Sequence, residues 1–345
     1  MRPTPLLVAN LLVGVAFAPP SLHSQSEYDA RTLATKKHFA DRELAALNEP
    51  FVGVHTSAGI ESGLFALEST GPSTQPLVEA ANAFLASLSP TQVIQTHFAV
   101  DDPEWRRWFN VDNGIYVRQG TSLREMSDAQ KATARKLMAA TLSARGLALA
   151  DAIRHTDRTL HELNDNAFYL GEDLYYFTVM GVPSATQPWG WQIDGHHLVI
   201  NAFVLGDQIV MTPTFLGAEP AVTRSGKYAG NTVLQDEQND GLAFMRSLSP
   251  AQQKDATLSS IKTRNNIQAE ALKDNAVIDY AGVKATSFSP AQREAFLQLV
   301  HHYVGNLRDG HADKWMADIT AKLDQTYFAW VGPTDPDAVF YYRIH

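Results

Sequence analysis

The chain has 345 residues, 45% of them hydrophobic and 19% charged, which supplies a large globular core in one big domain or two. It has no cysteine, which excludes disulfides, iron–sulfur clusters, thiolate zinc sites, a cysteine nucleophile and a lipid-modified cysteine anchor, so any metal must be held by His, Asp or Glu. The net charge of −9, with Lys and Arg scattered and no basic run, argues against nucleic acid as a partner, because phosphate binding needs a basic face.

Met1 and Arg2 precede an apolar run from Leu6 to Ala18, broken only by Asn10 and Gly14. This fits the charged and apolar regions of a secretory signal and is too short to span a bilayer. Ala16 and Ala18 offer small residues at cleavage spacing, while Pro19 makes cleavage near Ser24 the competing site. A signal peptide over 1–24 is therefore expected, followed by an extracytoplasmic chain, secreted or periplasmic, over 25–345 with no transmembrane span.

Four helix starts share nearly the same letters: Ser89-Pro90-Thr91-Gln92, Ser127-Asp128-Ala129-Gln130, Ser249-Pro250-Ala251-Gln252 and Ser289-Pro290-Ala291-Gln292. In each, Ser can cap the first amides and Gln can reach back to the cap, while Pro fits a first turn that needs no amide. From Ser127 a helix is expected to about Arg145, ended by Gly146, with a second over 149–163. Helical spacing continues through Phe296, Leu299, Val300, Tyr303 and Leu307, and a further helix is expected over 312–323. Strands are expected over 174–180, 189–193, 196–205, 208–212, 326–331 and 338–344, with 219–239 as the connection between halves. Hairpins with helices in separate blocks indicate an α+β fold, an antiparallel sheet of hairpins with capped helices.

Tyr176, Phe177, Gly181, Trp189, Trp191 and Ile193 recur as Tyr327, Phe328, Gly332, Phe340, Tyr342 and Ile344, each 151 positions later. The cap motifs repeat at similar spacing as well, so a single domain with two related halves, about 80–220 and 240–345, is expected. The first copy runs on past Ile193, whereas the second ends at His345, so a return strand is expected to be missing from the second.

Asp194-Gly195 and Gly206-Asp207 both read as two-residue hairpin turns. That register pairs Ile193 with His196, Trp191 with Leu198 and Trp189 with Ile200, then Leu205 with Gln208, Phe203 with Val210 and Asn201 with Thr212. Alternation gives an apolar face with Trp189, Trp191, Ile193, His196, Leu198, Ile200, Ala202, Val204, Ile209 and Met211. The opposite face carries Gln192, His197, Val199, Asn201, Phe203, Val210 and Thr212.

Two readings of that second face stand. In one, His197 is a metal ligand or general base, with Gln192, Asn201 and Thr212 orienting or binding substrate. In the other, it is the half-polar outer face of an antiparallel sheet. His196 reads as a hydrogen-bonded core histidine or a ligand, and Trp189 and Trp191 as core or a substrate-stacking platform. Glu219 could complete a histidine and carboxylate site or be a solvated loop acid. His301-His302 diverge by about 100° on a helix and read as a solvated pair. Asp101, Asp102 and Glu104 before Trp105-Arg106-Arg107-Trp108 form an ion-pair cluster or an acidic-substrate site. The sequence has no His-Glu-x-x-His, Gly-x-Ser-x-Gly or phosphate loop, which weakens the standard hydrolase classes.

The segment Pro188-Trp189-Gly190-Trp191-Gln192-Ile193-Asp194-Gly195-His196-His197-Leu198, with Thr212-Pro213-Thr214-Phe215-Leu216-Gly217-Ala218-Glu219-Pro220-Ala221, resembles the core motifs of the domain-of-unknown-function family 3500. The similarity extends from Gly120-Thr121 and Ser127 to Phe328-Ala329-Trp330 and Tyr341-Tyr342-Arg343-Ile344. The resemblance implies a secreted protein and brings no assigned activity. Members tend to carry Glu at the position of Asp194 and Asn at that of Glu219. They usually continue past the Tyr-Tyr-Arg-Ile segment into another strand and a tail with His-x-His; were that tail to supply ligands, a site on His196 or His197 would be incomplete here.

The expected function is a metal-dependent enzyme on a small or polymeric organic substrate, its reaction unspecified, with His197 and His196 as first ligands and Glu219 as a third. Zinc, copper or iron, as a divalent transition metal, suits these donors. The alternatives are a non-catalytic binding protein using Gln192, Asn201 and Thr212, and a structural or partner-binding module.

Overall fold

The computed structural model describes residues 30–63, 69, 71–263, 265–268 and 270–345; the expected signal segment 1–24 lies outside them. After α1 (Ala30–Leu47) come α2 (Gln75–Ser87), α3 (Pro90–Thr96), β1 (His97–Phe98), β2 (Thr121–Ser122), α4 (Asp128–Thr141) and α5 (Ala144–Leu163). The strands β3 (Tyr176–Met180), β4 (Trp189–Gly195), β5 (Leu198–Leu205), β6 (Gln208–Val210) and β7 (Thr214–Leu216) follow. The remainder is α6 (Gln235–Ser247), α7 (Pro250–Ala256), β8 (Thr257–Ser259), β9 (Val283–Lys284), α8 (Pro290–Val304), α9 (His311–Ala321), β10 (Tyr327–Val331) and β11 (Tyr341–Ile344). The fold is α+β, and no helix among the described residues is long and apolar enough to cross a membrane.

The strands form two sheets. The larger runs β1-β3-β4-β5-β6, with β2 also on β3 and β7 on β5; the smaller runs β11-β10-β8, with β9 on β10. The hairpins are antiparallel as expected, but each sheet also holds one parallel pair, β1 with β3 and β8 with β10. The helices between the two strands of each parallel pair supply the long crossover that such a pair needs. Each sheet buries one apolar face against its own helices: Trp189, Trp191, Phe177 and Ile193 under Phe84, Leu137 and Ile153, and Phe328 and Trp330 under Phe244, Phe296 and Leu299.

All four Ser and Gln motifs form capping boxes. They also join helices to one another. The Gln130 amide donates to the Ser87 carbonyl at 2.9 Å and to Gln92 Oε1 at 2.8 Å, and that of Gln292 to the Ser247 carbonyl at 2.9 Å and Gln252 Oε1 at 3.1 Å. Strand registers recur too: Phe177 faces Ile193 and Val179 faces Trp191, as Phe328 faces Ile344 and Trp330 faces Tyr342.

Two glycines depart from their expected roles. The helix from Ser127 ends at Thr141, and α5 starts at Ala144 on its own cap, Ser143, whose hydroxyl accepts from the Gly146 amide at 3.0 Å. Gly146 therefore lies inside a first turn, where a Cβ would overlap the backbone of Asn306. The first hairpin likewise turns at His196-His197 and not at Asp194-Gly195, with Gly195 opposite Leu198, Ile193 opposite Ile200 and Trp191 opposite Ala202. Gly195 is a strand residue, and its missing Cβ makes room for the Tyr175 ring. The turn moves by an even number of residues, so the expected faces survive although the expected partners do not. In the second hairpin Leu205 and Gln208 pair as expected, but β6 stops at Val210 and β7 re-pairs with β5 one residue out of step, leaving Thr212 off the ladder.

Asp194 lies in the strand beside the turn and is fully buried with Arg118, whose Nε is 3.0 Å from Oδ1. Burial pushes its carboxyl up to about 6, against the opposing pull of Arg118. A group that holds its proton more tightly when folded favours the fold most below its unfolded value and loses that contribution as pH rises through about 6. Asp194→Asn should therefore gain on the wild type by on the order of 3 kcal/mol between pH 4 and pH 7 in urea titrations. A stability difference that stays flat across that window would contradict the buried-carboxyl account. Gly195→Ala should cost about 1–3 kcal/mol through overlap with Tyr175, whereas a glycine serving a surface turn without a positive φ would tolerate Ala.

Candidate metal centre

The tip of the β4–β5 hairpin is His196-His197, and both backbone and packing set it. His197 sits at φ 58°, the left-handed region that L-residues seldom occupy. Its amide donates to the Asn110 carbonyl at 3.0 Å, and its carbonyl accepts from Gly217 at 2.8 Å. The carbonyl of His196 accepts from the Tyr175 hydroxyl at 2.9 Å. The turn is thus tied to three separate segments, and the imidazoles stack with centroids 4.1 Å apart and planes 27° from parallel.

Glu219, three residues past β7, brings Oε2 to 3.4 Å from His197 Nε2. One donor atom each from His196, His197 and Glu219 lies within 4.8 Å of the others. His196 is buried, the His197 side chain is 21% exposed and that of Glu219 is 65% exposed, so the group opens to solvent on the carboxylate side. Burial, then the neighbouring His196, holds His197 below the usual imidazole range, with Glu219 opposing. That favours the neutral ring a metal requires. Nδ1 of His197 is buried beside Gly217 with no hydrogen-bond partner among the described residues. Nδ1 of His196 lies 2.7 Å from Oδ1 of Asp157, a buried carboxylate of α5 whose Oδ2 accepts from the Gly171 amide at 2.8 Å.

The arrangement offers two imidazoles and a carboxylate to one cation, and the stacked rings must tilt apart for both in-plane lone pairs to meet on it. Tetrahedral zinc at about 2.0–2.1 Å from nitrogen sets neighbouring donors about 3.3 Å apart, close to the 3.4 Å between His197 Nε2 and Glu219 Oε2.

The other expected substrate residues lie elsewhere. Trp189 and Trp191 are fully buried, with indole N–H groups donating to the Ser184 carbonyl and to Thr141 Oγ1. A ring with no exposed face cannot stack on substrate, so their place is core. Gln192 and Asn201 are each 1% exposed and satisfy one another: Gln192 Nε2 donates to Asn201 Oδ1 at 2.7 Å, and Asn201 Nδ2 to the Pro213 carbonyl at 2.9 Å. Thr212 is exposed but takes no part in that pair. The second sheet face is covered: Trp105 packs on Phe203 beside Gly190, and Trp108 joins Val199 and Ala271 in a small apolar cluster.

The charged segment is an ion-pair cluster. Asp102 caps the Glu104 amide, Arg106 binds Asp274 and the carbonyls ending α1, and Arg107 approaches Glu43 at 3.9 Å. Burial holds the Glu104 carboxyl well above its usual range. His302 binds Asp240 at 2.6 Å while His301 is exposed, so the two diverge as their helical spacing requires. Asp157 was not singled out from the sequence, yet it carries a signal there. Ala150, Ile153 and Asp157 follow the buried stripe of α5, and a carboxylate on such a stripe demands a partner.

No curated protein and no solved structure matches the chain. The model of one family of proteins of unknown function matches residues 70–345, a span that takes in both sheets and every residue of the histidine and carboxylate cluster, and the chain therefore belongs to the DUF3500 family.

Proposed function

We propose that the protein is an extracytoplasmic metal-dependent enzyme acting on a small or polymeric organic substrate, with His196, His197 and Glu219 as the ligands. The observation that carries this reading is the convergence of those three donors within 4.8 Å at a turn held in a costly backbone conformation. Three protein donors leave coordination positions open, where a zinc or iron ion would polarise a substrate oxygen or activate water. The chain's own part is to orient the imidazoles, to favour the neutral ring of His197 by burial, and to keep one side of the site dry with Phe215, whose ring lies 6.2 Å from that of His197. The binding-protein alternative loses two of its three groups, because Gln192 and Asn201 are buried and bonded to each other. Export rests on the apolar run behind Met1-Arg2.

We also read the chain as two copies of one unit. Support comes from the matching strand registers, the paired Gln92–Gln130 and Gln252–Gln292 bridges, and Gly120 and Gly282, both at positive φ and both against a carbonyl of the central strand, Phe177 and Phe328.

Elemental analysis of the purified protein after exposure to zinc, iron or copper should find one equivalent of metal per chain. His197→Asn, chosen because Asn accepts left-handed backbone, should lose that metal while keeping the urea midpoint within about 1 kcal/mol. A wild-type protein that takes up none of the three metals would end the proposal.

A further inference from the structure

We infer that Asp157 is the positioning residue of this centre, fixing His196 so that Nε2 faces the cation; the inference rests on the metal reading above. The geometry is closed on every side. The side chains of Asp157 and His196 are 2% and 8% exposed, and their Oδ1 and Nδ1 lie 2.7 Å apart. The second carboxylate oxygen is held by the Gly171 amide, and Gly171 has a positive φ that presents its N–H towards α5. A carboxylate oxygen accepts, so Nδ1 donates to it, and in the neutral ring this leaves the lone pair on Nε2. That is the tautomer a metal-binding histidine needs when its other nitrogen is held by an acid.

A purely structural account of Asp157 is harder to sustain. A buried carboxylate costs several kcal/mol unless paired, and one histidine with one amide could be served by a neutral Asn. What Asn does not supply is the right tautomer: its single oxygen would stay on the Gly171 amide and its N–H would face Nδ1, which puts the ring proton on Nε2. A full charge behind the ring also raises the basicity of the opposite nitrogen. Asp157 further links the centre to α5, and through Gly171 to the segment that carries Tyr175, whose hydroxyl holds the His196 carbonyl. Ring and backbone of His196 are therefore fixed from the same side of the molecule.

The test uses Co(II) as the probe, with its affinity measured by chelator competition and its visible absorption recorded, on the wild type, Asp157→Asn and Asp157→Ala. Both variants should bind cobalt 10- to 100-fold more weakly, with an altered visible spectrum. Urea unfolding in the absence of metal separates the roles: a merely structural residue would lower the midpoint and leave cobalt affinity and spectrum unchanged. That outcome in Asp157→Asn, which keeps the shape of the side chain and decides the matter if Ala does not fold, would overturn the inference while leaving the metal centre standing. A wild type that binds no cobalt would instead remove the centre, and this role of Asp157 with it.

Discussion

The Tyr175 ring lies where a side chain at Gly195 would have to go, and its hydroxyl reaches the carbonyl of the next residue, His196. Strand β4 must therefore stay extended through Gly195, and the chain can reverse only at the two histidines. Once it reverses there, their rings stand side by side at the sheet's end, close to Glu219 beyond β7 and to Asp157 on α5. Had Asp194-Gly195 formed the turn, Asp194 could not lie buried against Arg118, and the histidines would have entered β5 on opposite faces. One close approach thus decides whether the two imidazoles can share a ligand.

In the duplication reading, the same place in the two halves carries different chemistry. Arg118 stands two residues before Gly120 and pairs with Asp194. Tyr280 stands two residues before Gly282, and its ring lies 5.7 Å from that of His345, which the duplication reading matches to Asp194. The first pair is sealed and ionic; the second is aromatic, and Tyr280 is 43% exposed. In the duplication reading, the shared element is the glycine that lets the chain cross the central strand, while the contact beside it is free to differ. A buried ion pair adds little stability over apolar packing but penalises other arrangements heavily. Such a pair suits the half whose hairpin must present a defined turn.

The capping boxes were legible because their chemistry is local: Ser and a Gln three positions later satisfy the same amides wherever the helix packs. The sheet faces were legible because alternation survives a shift of the turn by an even number of residues. The exact pairing was not, and Gly146 and Gly195 show why. A sequence reveals that a side chain is missing but not whether the absence serves a positive φ or a neighbour's atoms. Gly206 is the first kind, at φ 61°, and its turn was placed correctly; Gly195 is the second. His196, His197 and Glu219 were legible as residue types with donor atoms, whereas Asp157 meets His196 across 39 residues, and no periodicity encodes that contact.

The polar face of the central hairpin invites a binding site in sequence, yet burial changes what its side chains can do. Once residues 100–118 cover that face, an unsatisfied amide on it would cost about 1–3 kcal/mol, so Gln192 and Asn201 must bond to each other and to Pro213. Bonded in this way and 1% exposed, they lie out of reach of a ligand. The groups with valence to spare are those at the rim of the cover, where a histidine turn at φ 58° meets a solvent-facing carboxylate. The covering segment itself supplies the Asn110 carbonyl that holds the His197 amide. The layer that closes the face therefore also builds its edge, and the site lies at the end of the hairpin because the face has been given over to the core.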